Sequence, residues 1–332
     1  MASALLGAAW TYHSRMTRTQ LERHQVWWYL VAVAAGLAIG SAFPTVRDAF
    51  SLLVWPMLAV LLYATFVQVP LLQLRDAFRD RRFVVAVVSG NFIVIPAIAF
   101  FLVQWLPPDP ALRLGVLLVL LVPCTDWFVT FAQLGGGDTS RAMAITPLNL
   151  VLQLVLLPVY LWWSPGGAVA PDLSPAHLSI AVGIVIGPLL AAAVTERWMG
   201  RDVGRLAVRE RLGWAPVPLL ATVVFLIAGA QVAAVFDAVA VLPTVVPAFA
   251  AFLLLVALAA RGIAWLLRLP ASHGRTLCFS MGTRNSFLVL PLALALPEAW
   301  SVAAVVVVVQ SLVELIGMIV YLWWVPRHLF RR

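Results

Sequence analysis

The chain contains no lysine, and charge of either sign is scarce. Only 11% of its 332 residues are charged, where a soluble globular chain carries about one quarter. Without lysine no Gly-Lys-Ser/Thr phosphate loop can form. The run Gly135-Gly136-Gly137 leads instead into Asp138, with no strand before it, and reads as a helix-ending turn whose aspartate caps the next span. The five histidines fall in loops or near the termini and show no zinc-ligand spacing. Both cysteines, Cys124 and Cys278, lie in apolar segments, which excludes an extracellular disulfide framework. Nothing implies an ATPase, a covalent-catalysis site or a cofactor. A secretory leader is lacking too: residues 1–10 are mildly apolar without a basic start, and 13–24 are polar and basic. Met16 could serve as the start as readily as Met1.

What is present is apolar residue, 63% of the chain, in runs of bilayer-spanning length. The pattern predicts an all-α membrane protein with ten spans, near 26–43, 50–70, 83–106, 111–134, 141–163, 177–195, 213–234, 241–266, 272–296 and 299–324. An even number of spans puts both termini on one side. Nineteen of the 22 arginines fall on that side, in the tails and alternate loops. Only Arg47 and Arg113 fall on the other, and Arg284 lies mid-span. The positive-inside rule then makes both termini cytoplasmic in an inner (plasma) membrane. The high sequence pI of 10.7 follows from this topology and not from a nucleic-acid face. The expected organisation is a tail over 1–25, a first repeat over 26–163, an external linker over 164–176, a second repeat over 177–325 and a tail over 326–332.

The repeat is visible in the ends of the fifth and tenth spans. Tyr160-Leu161-Trp162-Trp163 recurs as Tyr321-Leu322-Trp323-Trp324, an offset of 161 residues. The same offset sets Asn149 and Gln153 on Gln310 and Glu314, and Pro123 on Arg284. Five helices per repeat is an odd number, so the halves are expected to be inverted, as in secondary transporters with discontinuous helices. The fourth span is interrupted by Pro123-Cys124-Thr125-Asp126 and the ninth by Gly282-Thr283-Arg284-Asn285-Ser286. Proline removes a backbone donor, and freed backbone groups at that depth are tolerated only beside protein or a wet cavity. The candidate substrate-binding residues are Cys124, Thr125, Asn285 and Ser286, with Asn91 from the third span and Asn149 from the fifth. Asp126, Arg284 and Glu314 are mid-span charges, each costing about 2.5–3.5 kcal/mol at a helix centre. They are the candidates for ion or proton coupling. Asp126 and Arg284 sit at corresponding depths and are expected to pair, as a structural bridge or as a proton site. Cys124 reads as an apolar filler or as a soft-ion ligand. Cys278 reads as packing.

At these residues the chain resembles the bile acid/sodium symporter superfamily, and within it the arsenite-efflux permeases. The resemblance rests on Asn91-Phe92 with Pro96, Cys124, Leu134 with Gly137-Asp138, and Gly282-Thr283 with Asn285. It implies a core domain of helices three to five and eight to ten, moving against a panel of helices one, two, six and seven. It also implies that a cysteine at the position of Cys124 is required for transport. Two departures stand out. Arsenite permeases carry a glutamate where this chain has Leu288. Sodium-coupled members carry a glutamate and a glutamine where it has Ser280 and Arg284, which disfavours a hard cation there. The expected function is therefore proton-coupled efflux of arsenite or a related metalloid. The alternative is transport of a small organic anion held by Arg284. A non-transporting receptor or scaffold gives no reason for midplane charges.

Overall fold

The computed structural model of the chain describes residues 18–69, 79–162, 175–200 and 202–331. Residues 1–17 of the expected tail over 1–25, residues 164–174 of the expected linker over 164–176, and Arg75, Trp163, Arg201 and Arg332 lie outside the described residues. Within them the elements are all helical. In chain order they are α1 (Arg18–Ala42), α2 (Val46–Phe66), α3 (Arg81–Ser89), α4 (Ile95–Gln104), α5 (Pro110–Leu120), α6 (Trp127–Leu134) and α7 (Thr139–Trp162). There follow α8 (Pro175–Met199), α9 (Val203–Leu212), α10 (Pro216–Ala230), α11 (Val232–Val239), α12 (Leu242–Leu266), α13 (Ala271–Gly282), α14 (Ser286–Leu294) and α15 (Val302–Trp324).

Six helical stretches are long and apolar enough to cross a bilayer: Val46–Phe66, Arg81–Gln104, Thr139–Leu161, Ala207–Ala230, Leu242–Leu266 and Val302–Leu329. The interrupted spans fall short of that length because each is divided, into α5 and α6 and into α13 and α14. Two boundaries differ from expectation. The first helix begins at Arg18 rather than Val26, because helix geometry runs on past the apolar stretch that hydropathy marks. The seventh span ends at Ala230, where Gln231 leaves helical geometry before α11 begins.

Helices α1, α2, α8 and α10 pack on one another, while α3 to α7 and α12 to α15 gather around the interruptions. The first group is held by close backbone approach. A Cβ on Gly40 would lie 2.1 Å from the Gly229 carbonyl oxygen, so α1 and α10 touch main chain to main chain. Tyr63 and Thr195 share a 3.0 Å hydroxyl contact that ties α2 to α8.

Elements recur at the 161-residue offset seen in the sequence. Arg81 and Leu242 open equivalent helices, as do Pro110 and Ala271. Side-chain bonds recur as well. Pro96 cannot donate to the carbonyl four residues earlier, and the Tyr160 hydroxyl donates to that carbonyl, Phe92 O, beside the π-turn at Gly90–Val94. Tyr321 donates to Leu253 O, the equivalent pair in the second half.

One end of the second group is closed by a charged cluster. Arg141 donates to Asp80 at 2.8 Å and to Asp138 at 2.6 Å, with His273 3.8 Å and 3.6 Å from the same two carboxylates. Asp80 caps α3 through Phe83 N, and Asp138 caps α7 through Arg141 N. The intervening turn needs glycine at Gly136, whose φ is +68°. Burial alone would raise both carboxyls, but the Arg141 and backbone hydrogen bonds hold each below its ordinary value. A lowered native value stabilises the fold above the ordinary carboxylate range, about pH 4. That contribution disappears as pH falls through the native values.

Two outcomes follow. Thermal midpoints measured in detergent should fall on acidification below about pH 4, and Asp80→Asn should flatten that fall. Tyr160→Phe and Tyr321→Phe should each cost about 1 kcal/mol with similar drops in midpoint. A loss confined to one of the two would contradict their equivalence.

Candidate functional site

The two interruptions meet. The non-helical segments 121–126 and 283–285 pass each other, with Pro123 and Arg284 opposed in an isolated antiparallel bridge. Cys124 N donates to Thr283 O at 3.1 Å, and Asn285 N donates to Val122 O at 2.8 Å. Under the 161-residue offset these two bonds exchange with one another, as a two-fold axis through the crossing requires. Groups freed by breaking each helix are thus satisfied by the other break, which is what an apolar surrounding demands.

The crossing carries a polar constellation. Asn285 caps α14 through Leu288 N at 3.2 Å, and its Nδ2 donates to Thr125 Oγ1 at 3.2 Å. The Cys124 thiol is fully buried and donates to Asp126 Oδ1 at 3.1 Å. Asn91 donates to Ser280 Oγ at 3.1 Å and accepts from Arg284 Nη2 at 2.8 Å. On α15, Glu314 Oε2 accepts the Arg284 backbone N–H and Gln310 Nε2, both at 2.8 Å. Gln310 Oε1 accepts from the Ser286 hydroxyl at 3.2 Å, and Ser311 lies 2.7 Å from that hydroxyl. Ser286 and Ser311 border a cavity of about 10 Å³, with Tyr29 of α1 on its other side.

The structure does not bring Arg284 to Asp126. Arg284 is fully buried, and its guanidinium donates to Asn91 Oδ1 and to the carbonyls of Leu120, Ser280 and Met281, at 2.7–3.2 Å. The Phe252 ring lies 5.8 Å from it. Asp126 is partly exposed rather than buried, and takes the thiol instead. The physical reason is that similar depth along the chain does not fix lateral direction: Arg284 turns to Asn91 and to main-chain carbonyls, while Asp126 meets Cys124. Asn91 and Glu314, from neighbouring helices, are therefore the residues that meet Arg284. Sequence reasoning missed Phe252, although the offset pairs it with Asn91. It also missed Ser311, whose counterpart Leu150 carries no polar signal.

Several buried polar atoms, at the crossing and on α7, have no hydrogen-bond partner among the described residues. These are Glu314 Oε1, Arg284 Nε, and both amide atoms of Asn149 and of Gln153. Each such group costs about 1–3 kcal/mol. Asn149 and Gln153 are 0% and 1% exposed on α7, so this cost is not relieved by surface water. Cys278 is buried in the apolar core, as packing predicts.

A multi-pass helical bundle organised around two crossing, interrupted helices is the architecture of a membrane transporter. The chain belongs to the sodium bile acid symporter family, whose model matches residues 55–262. It is thus a secondary transporter and not an enzyme. Among characterised proteins it is 23% identical over 200 residues to the arsenical-resistance protein Acr3 of Corynebacterium glutamicum, covering 55% of this chain and 54% of that one. It is 27% identical over 216 residues to the P3 protein of Bos taurus, covering 60% of this chain and 42% of that one. The match spans about half the length of these relatives.

The Arg284 environment yields a direct expectation. The guanidinium has no carboxylate among its hydrogen-bond partners, and Glu314 reaches Arg284 through its backbone N–H instead. Glu314→Gln should destabilise the protein by about 3 kcal/mol in thermal unfolding in detergent. An unchanged midpoint would mean that Glu314 is neutral in the folded protein.

Proposed function

We propose that this chain is a ten-helix secondary transporter made of two inverted five-helix repeats, with broken fourth and ninth helices. The core is helices three to five and eight to ten, and helices one, two, six and seven form the panel. Both termini are cytoplasmic in the inner (plasma) membrane. The cargo is arsenite or a related metalloid species, exported in exchange for protons by alternating access.

The observation that carries the cargo reading is the buried Cys124 thiol at the crossing, directed at the Asp126 carboxylate. Uncharged arsenous acid exchanges one hydroxyl for a thiol. The S–H and As–O bonds break, an S–As bond forms, and the thiol proton leaves with the hydroxyl as water. Asp126 is placed to accept and return that proton during the exchange. A single sulfur bond reverses by the same route, which suits release on the far side. Asp126 and Glu314 are the carboxylates available to carry a coupling proton.

The surroundings of Arg284 support independence from sodium. Four oxygen acceptors already enclose its guanidinium, so a tethered cation occupies a site built of the hard oxygen ligands such cations need. The same bonds weigh against the organic-anion reading, because they engage both terminal nitrogens and leave only Nε without a partner.

Expression in an arsenite-sensitive strain should restore resistance, and Cys124→Ser should abolish it. In everted vesicles the same variant should reduce arsenite uptake by about tenfold or more, the loss expected from 1.4 kcal/mol or more of lost anchoring. Asp126→Asn should remove the dependence of that uptake on a pH gradient. Resistance unaffected by Cys124→Ser would overturn the metalloid reading, and proton-driven flux at the wild-type rate in Asp126→Asn would remove Asp126 as carrier.

A further inference from the structure

Residues Asn149 and Gln153 stand one helical turn apart on α7, so their side chains share one face. Both are buried, and all four of their polar atoms lack partners. Their counterparts in the second half are in the opposite condition. Gln310 bonds to Ser286 and to Glu314, and Glu314 accepts the backbone N–H of Arg284.

The difference traces to one residue. The counterpart of Arg284 is Pro123, which has no N–H to give Gln153. The counterpart of Ser286 is Thr125, whose hydroxyl oxygen accepts from Asn285 Nδ2 and makes no bond to Asn149. The first half therefore repeats the polar pair but lacks the backbone donor that Arg284 supplies in the second half.

We propose that Asn149 and Gln153 form a hydrogen-bonding subsite on α7 for an uncharged, hydroxyl-bearing ligand, held open because position 123 is proline. This rests on reading the crossing as a transport site, and adds to it the residues that bind the hydroxyls of what is carried. Two amides offer four N–H donors and two acceptor oxygens but no charge. They match a species that both donates and accepts hydrogen bonds, and give an ion no counter-charge for its desolvation. The subsite complements a soft-ion ligand such as Cys124: the thiol selects the central atom and the amides select its hydroxyls.

The test uses the full chain purified in detergent, with thermal shift and equilibrium binding as readouts. The probes are arsenous acid and boric acid, both uncharged trihydroxy acids at neutral pH, with acetate as the charged comparison. Wild type should be stabilised by both acids and not by acetate. Asn149→Leu and Gln153→Leu should each weaken both acids by about tenfold or more, while raising the ligand-free thermal midpoint by removing unpartnered polar atoms. Pro123→Ala supplies the missing N–H without touching α7 and should weaken both acids as well, which keeps the test valid if the leucine variants fold poorly. Cys124→Ser should weaken arsenous acid alone. Binding of boric acid without arsenous acid would sink the arsenite reading and leave the subsite standing. No stabilisation of wild type by either acid would overturn the subsite. So would unchanged affinity in Gln153→Leu or Pro123→Ala, since the amides would then be structural, satisfied by internal water.

Discussion

Two main-chain hydrogen bonds, Cys124 N to Thr283 O and Asn285 N to Val122 O, are the constraint on which the rest of the structure depends. A helix broken inside a membrane exposes donors and acceptors that lipid cannot satisfy. Here each break satisfies the other, so neither half can form its interrupted helices without its partner. The bridge fixes the depth of both breaks. It also fixes which side chains point together: Thr125 with Asn285, and Cys124 back onto Asp126. The remaining helices of that group supply the lining around this point, α3 and α4 through Asn91 and α15 through Gln310 and Glu314.

The bridge is symmetric, but its chemistry is not. One segment contributes proline where the other contributes arginine, and the pair Gln153 and Glu314 follows suit. In the second half the buried Arg284 and Glu314 meet through the backbone N–H of residue 284. In the first half the same positions are uncharged and unpartnered. On the proposed reading this divides the labour: the second half carries a permanent internal cation in place of a coupling ion, and the first half meets the cargo. Unpartnered amides in a buried site lower stability, which is the usual signature of a group retained for function rather than for folding.

Much of this was legible in the sequence because the information was one-dimensional. A single offset of 161 residues, read from Tyr160 and Tyr321, aligned Pro123 with Arg284, and those residues face each other in the bridge. Proline and glycine marked the breaks, and Gly137-Asp138 marked the start of α7. What was not legible was lateral direction. The offset placed Asp126 and Arg284 at similar depth, yet the guanidinium reaches Asn91, 193 positions away in the chain, and leaves Asp126 to the thiol. Hydropathy likewise located the apolar part of α1 but not its polar first turns, since it reports solvent preference and not helix continuity.

Alternating access at the crossing is the central claim, and the chain's two cysteines make it directly measurable. With Cys278 replaced by alanine, Cys124 is the only thiol, and it is buried in the state described. A membrane-impermeant thiol reagent should label Cys124 from the cytoplasmic face in everted vesicles and from the external face in intact cells, with arsenous acid slowing both. Labelling from one face only, or from neither, would contradict the account.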